Sequence, residues 1–255
     1  MKSTVLDKPP ATEASRAALK ARLAALSPEQ RQKLLAVIAG RRAAGADSLS
    51  TPLPGSQGCY ALSSAQRRFW LASQIGEADV AAYNIAAAFY FDDTLDALRL
   101  ESAWRVLLRR HPVLTSRFHP ASATPDGELT EDPDGDSIAQ TPREAEGWSL
   151  ELNELGDDGE FRTQVEERAA RLASQPLDLE HDFPVRVELL RSRTRGGSGL
   201  IIVIHHAVCD GLSIPILTRE LAALYEDAGA ALPTPPQYRD EIVAEAQRSH
   251  ARALD

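Results

Sequence analysis

Cysteine is nearly absent from the 255 residues: Cys59 and Cys209 are the only two, too few for a disulfide framework. No apolar run approaches the roughly 20 residues needed to span a bilayer. The first residues carry no apolar signal-peptide core, so the chain is expected to be cytoplasmic and away from membranes. Positive charge is also in deficit, with 28 Lys and Arg against 37 Asp and Glu, a net charge of −9. The imbalance is uneven. Residues 1 to 50 hold nine basic against four acidic side chains, and the remainder 19 against 33. So acidic a body excludes nucleic acid as the main partner. The basic first segment suits either a solvated helical face or an acidic partner peptide. No metal is assigned.

Hydrophobic content of 43% and charged content of 25% are those of an ordinary globular protein. The length admits one large domain, or a moderate domain with an appendage.

The most informative stretch is Leu200-Ile201-Ile202-Val203-Ile204-His205-His206-Ala207-Val208-Cys209-Asp210-Gly211. Five aliphatic residues in a row predict a strand buried on both faces. Alternation along a strand sends His205 and His206 to opposite sides. One should hydrogen-bond inside, and the other should look out beyond the strand end. Asp210 follows on the turn, where it can orient the segment. Gly211 permits positive φ or a close backbone approach, and Ser213 opens an amphipathic helix. Cys209 is read as a small packed residue.

Elsewhere the pattern alternates strands and helices. Thr12 or Ser15 caps a first helix, and Ser27-Pro28-Glu29-Gln30 is a capping box for a second ending near Gly40 or Gly45. A Ser-, Pro- and Gly-rich linker spans 46–58, and residues 1 to 10 are expected to lack structure. Ser63 and Gln66 have capping-box spacing for a helix holding Phe69 and Trp70. Strands are predicted at 83–91, at 113–118, and along Trp148, Leu150 and Leu152. Helices should carry Leu100 to Leu108 and residues 160–174. Residues 119–147 read as a polar loop. The pair 183–191 and 200–206 reads as an antiparallel hairpin, with Arg186 and Glu188 on a wet face. His111 is taken as a structural residue at a helix end.

His-His-x-x-x-Asp-Gly at 205–211 is similar to the signature of the chloramphenicol acetyltransferase-like acyltransferases, which include the condensation domains of nonribosomal peptide synthetases. Ser63 to Trp70 resembles the first condensation motif, Ser-x-Ala-Gln-x-Arg-Leu/Met-Trp, with Phe69 in place of Leu or Met. Arg110 to Phe118 resembles the second, with Pro112 where Glu is common. Pro176-Leu177-Asp178-Leu179 is similar to the element preceding the third. Gln237-Tyr238-Arg239-Asp240 matches the fourth only at its start.

The resemblance implies an α/β lobe of chloramphenicol acetyltransferase-like sandwich type, its mixed, largely antiparallel sheet covered by helices. The expected organisation is a helical linker or docking segment over 1–50 and the N-terminal lobe of a condensation domain over 59–255. The resemblance implies that a C-terminal lobe is needed beyond what this sequence is expected to supply. The reaction implied is attack of a carrier-bound aminoacyl amine on a carrier-bound acyl thioester, with 4'-phosphopantetheine arms supplied by donor and acceptor carrier proteins. No covalently bound cofactor is expected. The site residues carried over are His205, His206, Asp210 and Gly211. Among them His206 accepts or positions the amine proton, and Gly211 N–H faces the oxyanion. Arg68 braces Asp210. The isolated lobe is expected to be inactive, and residues 1–50 are a candidate contact with an upstream synthetase. Two alternatives stay open: a trimeric single-lobe acetyltransferase using coenzyme A, and a non-catalytic docking module.

Overall fold

The structure, a computed structural model, describes residues 2–5, 58–75, 81–120, 138–156, 160–193 and 196–254. The helices expected over 12–40, and the linker except for Gly58, lie outside the described residues. In chain order the elements are β1 (Lys2–Val5), β2 (Tyr60–Ala61), α1 (Ser64–Ile75), β3 (Asn84–Phe91), α2 (Ala97–Arg110), β4 (Ser116–Pro120), β5 (Ile138–Pro142), β6 (Glu151–Leu155), α3 (Phe161–Ala173), β7 (Val185–Ser192), β8 (Ser198–His205), α4 (Ser213–Glu226) and α5 (Tyr238–Leu254). They fall into two compact units. One comprises Met1–Leu6, Glu77–Phe118 and Thr141–Tyr238, the other Asp7–Gly76, His119–Gln140 and Arg239–Asp255.

The first unit is built on a five-stranded sheet in the order β1-β3-β8-β7-β6. It is antiparallel except where β6 runs parallel to β7. The predicted hairpin is present, with Val185 opposite Ile204 and Arg191 opposite Ser198. Every residue of β8 is buried, as expected of an unbroken aliphatic run in the middle of a sheet covered on both faces. Gly197, at φ 90°, takes the left-handed turn ahead of β8.

Helix α3 covers one face. Its Val165, Ala169 and Leu172 pack with Ala86 and Ala88 of β3 and Ile201 and Val203 of β8. Gly199 makes that close approach possible, since a Cβ there would sit 2.6 Å from Val165 Cγ2. Asp96 caps α2 by accepting from Leu98 and Arg99 N–H. Helix α2 buries Leu100, Ala103, Trp104, Leu107 and Leu108. It packs along α4, which buries Ile214, Leu217, Leu221 and Leu224.

Several expectations are corrected in this unit. Glu188, assigned to a wet face, is 0% exposed. The Arg168 guanidinium of α3 lies across it at 3.0 and 2.8 Å, and Asn153 donates to it at 2.6 Å, so the charge is compensated in place. Residues Pro112–Thr115 form a 3-10 turn instead of beginning the strand. The Thr115 and Ser116 hydroxyls both donate to Pro112 O there. Trp148 precedes its strand and is buried against Trp104, ring centroids 5.8 Å apart, while Leu152 is exposed. Lys2–Val5, expected to lack structure, is the edge strand β1.

In the second unit the capping box is formed as expected. Gln66 N–H donates 3.1 Å to Ser63 Oγ, and Ser63 N–H donates 3.0 Å to Gln66 Oε1. Gln66 is fully buried and exchanges side-chain hydrogen bonds with Gln140, which also donates to Ala61 O. This ties α1 to the β2–β5 pair, in which Tyr60 faces Gln140 and Ala61 faces Ala139. A buried amide pair satisfied in this way holds a specific register. The polar loop expected over 119–147 is partly ordered as the end of β4, the whole of β5 and a 3-10 turn at Ala145–Gly147; residues 121–137 lie outside the described residues. Among the described residues no helix is long and apolar enough to cross a membrane.

Candidate active site

The two histidines at the end of β8 occupy opposite environments. His205 is the last strand residue and is 0% exposed; His206, one residue on, is exposed. Backbone pairing holds both in place. His205 sits opposite Asn84 in the β3–β8 ladder, and His206 N–H donates 2.7 Å to Tyr83 O just beyond it. His205 N–H donates 2.9 Å to Pro184 O on the other side.

The buried ring serves the turn. Ala207 N–H donates 3.0 Å to His205 Nδ1, so Nδ1 is an acceptor and the proton of the neutral ring belongs on Nε2. Burial pushes the His205 pKa down to about 4, helped by the neighbouring His206 charge. His205 is therefore neutral near pH 7. It fixes the backbone from which His206 projects.

Past the turn, Ser213 N–H donates 2.8 Å and Ser213 Oγ–H donates 2.6 Å to the same oxygen, Asp210 Oδ1. The Ser213 side-chain bond holds the Asp210 carboxyl below the usual range against the opposing effect of burial. The Ser213 and Leu212 amides and the His206 charge add to it. The carboxylate thus closes the first turn of α4 and lies within the electrostatic reach of His206. Cys209 is buried, and burial pushes its thiol up to about 12, which removes it as a thiolate nucleophile.

Gly211 departs from expectation. It is not among the positive-φ glycines, and a Cβ built on it meets nothing within 4 Å. The Asp210–Ser213 bonds make this turn without help from glycine's freedom. Gly211 and His206 are both exposed. Arg68 is an exposed residue of α1 in the second unit, whereas Asp210 belongs to the first. Both Ser213 bonds fall on Oδ1.

A further cluster went unread in the sequence. Glu220 of α4 accepts from Arg110 Nε at 3.0 Å and lies 2.7 Å from His111 Nε2. Burial acts to raise the Glu220 pKa, but Arg110 and His111 together hold it below its ordinary value. Arg110 also donates to Pro233 O. His111, read as structural, is so placed, and the cluster ties the helix following the histidines to the end of α2. Its signal was an acidic residue on the buried stripe of α4, between Leu217 and Leu221. Two cavities of the first unit, of about 210 and 540 Å³, are lined by Trp148, Phe183 and Arg186 and by Val106, Leu224 and Leu232 among others. Neither is lined by a residue of the His205–Gly211 stretch.

Comparison with known proteins follows the same lines. The model of the condensation domain matches residues 56–254. Chondramide synthase cmdD of Chondromyces crocatus is 34% identical over 187 residues, 72% of this chain and 4% of that protein. Phosphinothricin tripeptide synthetase PhsC of Streptomyces viridochromogenes is 33% identical over 228 residues, 87% of this chain and 20% of that protein. Among solved structures, the starter condensation domain of rhizomide synthetase RzmA superposes with a TM-score of 0.61 at 21% identity, covering 76% of this chain and 44% of that one. The first condensation domain of the CDA synthetase gives 0.60 at 22%, covering 78% and 47%. The chain thus spans less than half of each of these structures and a small fraction of each synthetase.

Proposed function

This chain belongs to the condensation-domain family, and we propose that it supplies the histidine-bearing N-terminal lobe of an amide-forming condensation domain, inactive until a C-terminal lobe completes it. The observation that carries this reading is the division of labour at the end of β8: a buried neutral His205 bracing the turn, and an exposed His206 beside it.

The reaction joins two groups carried on phosphopantetheine arms. The amine of an aminoacyl group on the acceptor carrier attacks the acyl thioester on the donor carrier. The C–N bond forms and the C–S bond breaks. The amine proton passes to His206 and from there to the departing thiolate. A thioester is already reactive, so most of the acceleration comes from holding amine and carbonyl together. His206 supplies proton acceptance or orientation in addition. Asp210 closes the turn that carries His206 by accepting from Ser213. Gly211 N–H is assigned to the developing oxyanion, and Arg68 to bracing Asp210. Residues 1–50 are assigned to contact with an upstream synthetase.

The test is the chain supplied with acyl- and aminoacyl-loaded carrier proteins, alone and joined to a C-terminal lobe of the same family, with the condensed product read by mass spectrometry. Product from the joined form only supports the reading. Product from the chain alone, in the form of a stable trimer, would replace it with the single-lobe acyltransferase.

A further inference from the structure

The outermost strand of the main sheet comes from a distant part of the chain. Lys2–Val5 pairs antiparallel with β3, with Lys2 opposite Tyr90, Ser3 opposite Phe89, Thr4 opposite Ala88 and Val5 opposite Ala87. The other side of β3 is held by eight pairs to β8, from Asn84–His205 to Phe91–Ser198. Without β1, the outer edge of an apolar strand, Ile85-Ala86-Ala87-Ala88-Phe89, would present unpaired N–H and C=O groups. Such an edge is a template for another strand. Between Val5 and Asn84 lie 78 residues, and four backbone pairs hold the strand to β3.

We propose that the outer edge of β3 is a strand-accepting site, filled in the single chain by its own Lys2–Val5 and open to the same segment of a second copy. Three features favour this occupant. The segment matches the edge in register along its whole length. A short strand contributes few ladder bonds, so it leaves readily. The segment lies 78 residues away in sequence from the strand it pairs with, and a second copy at millimolar concentration offers the same segment to the same edge. Exchange of an identical element costs nothing in contacts made, which is the ordinary route to a swapped dimer.

The test uses the full chain with Thr4→Cys and Ala88→Cys. Directly opposed residues of an antiparallel pair lie at a separation that a disulfide can bridge, and the two native cysteines are buried. Mild oxidation is expected to link positions 4 and 88 at least tenfold faster than positions 4 and 86 in the shifted control Thr4→Cys/Ala86→Cys. At about 10 µM the product should be a cross-linked monomer, and toward about 1 mM cross-linked dimers should appear. Equal rates in the two variants would overturn the proposed register. Monomeric product at every concentration would overturn the exchange.

A second arm does not depend on cysteine. Ser3→Pro/Thr4→Pro removes a ladder donor whichever of the two amides faces β3. This variant should bind a fluorescent peptide of residues 1–8 at least tenfold more tightly than the unmodified chain does. The same peptide carrying both prolines should not bind. Equal binding by the two proteins, or by the two peptides, would contradict the proposal.

Discussion

The main-chain N–H of Ala207 donates to Nδ1 of His205 at 3.0 Å. This one bond sets the tautomer of the buried ring and shapes the turn that carries His206 outward. The burial of that ring makes the fold sensitive to acid. Burial lowers the His205 pKa to about 4 in the native state, against about 6.5 in an unfolded chain. Between those values the unfolded state binds a proton that the native state does not, so stability falls as pH drops from 6.5 toward 4 and levels off below.

The expected loss is on the order of 1.4 kcal/mol per pH unit across that window. Urea unfolding of the chain and of His205→Asn, compared from pH 7 to pH 4, measures it. The difference between the two should shrink as pH falls; a difference independent of pH would mean that His205 is not neutral in the native state.

Glycine at 199 and at 211 should answer differently to the same added methyl. At Gly199 the new Cβ meets Val165 Cγ2 at 2.6 Å, so Gly199→Ala should cost about 1–3 kcal/mol by overpacking. Val165→Ala on the same background should recover part of it. Gly211→Ala meets nothing and should leave the melting temperature of the chain unchanged. In a completed domain it should lower turnover, because the proposed reaction assigns Gly211 N–H to the oxyanion. Calorimetry of the three variants separates these outcomes.

Glu220 should behave as a shared anchor. Glu220→Ala leaves Arg110 and His111 without their carboxylate, and the pair is largely buried, with side-chain exposures of 16% and 11% for Arg110 and Glu220. The expected cost is about 2 kcal/mol, below the range for a fully buried pair. A double-mutant cycle with Arg110→Ala should show coupling. Additive effects would mean that the contact does not hold α4.

Cys209 should resist modification while the chain is folded. Its thiol, buried and raised to about 12, should react with iodoacetamide only upon unfolding, and Cys209→Ala should leave activity of a completed domain intact. Rapid labelling under native conditions would contradict the packing described for the turn.

The site's residues were legible to the extent that they are local. Alternation along β8 separated the two histidines, and the Ser63–Gln66 spacing marked a capping box that formed as read. The hairpin of β7 and β8 was visible in its two apolar runs and the glycines between them. What escaped depends on partners far along the chain. Glu188 reads as solvent-facing until Arg168, twenty residues earlier, is folded over it. Glu220 stands on the buried stripe of α4, and its partner Arg110 lies 110 positions away, out of reach of any local pattern. Gly211 looks like a conformational requirement, but the Asp210–Ser213 bonds already make the turn. Lys2–Val5 has no periodicity by which to announce a strand, and its pairing is supplied wholly by the β3 edge.

The central claim is that the outward-facing imidazole acts on the substrates while its buried neighbour acts on the fold. Turnover of loaded carriers by a completed domain carrying His206→Ala tests it most directly. The expected result is a loss of at least about 100-fold with an unchanged melting temperature; turnover near that of the unmodified domain would contradict it.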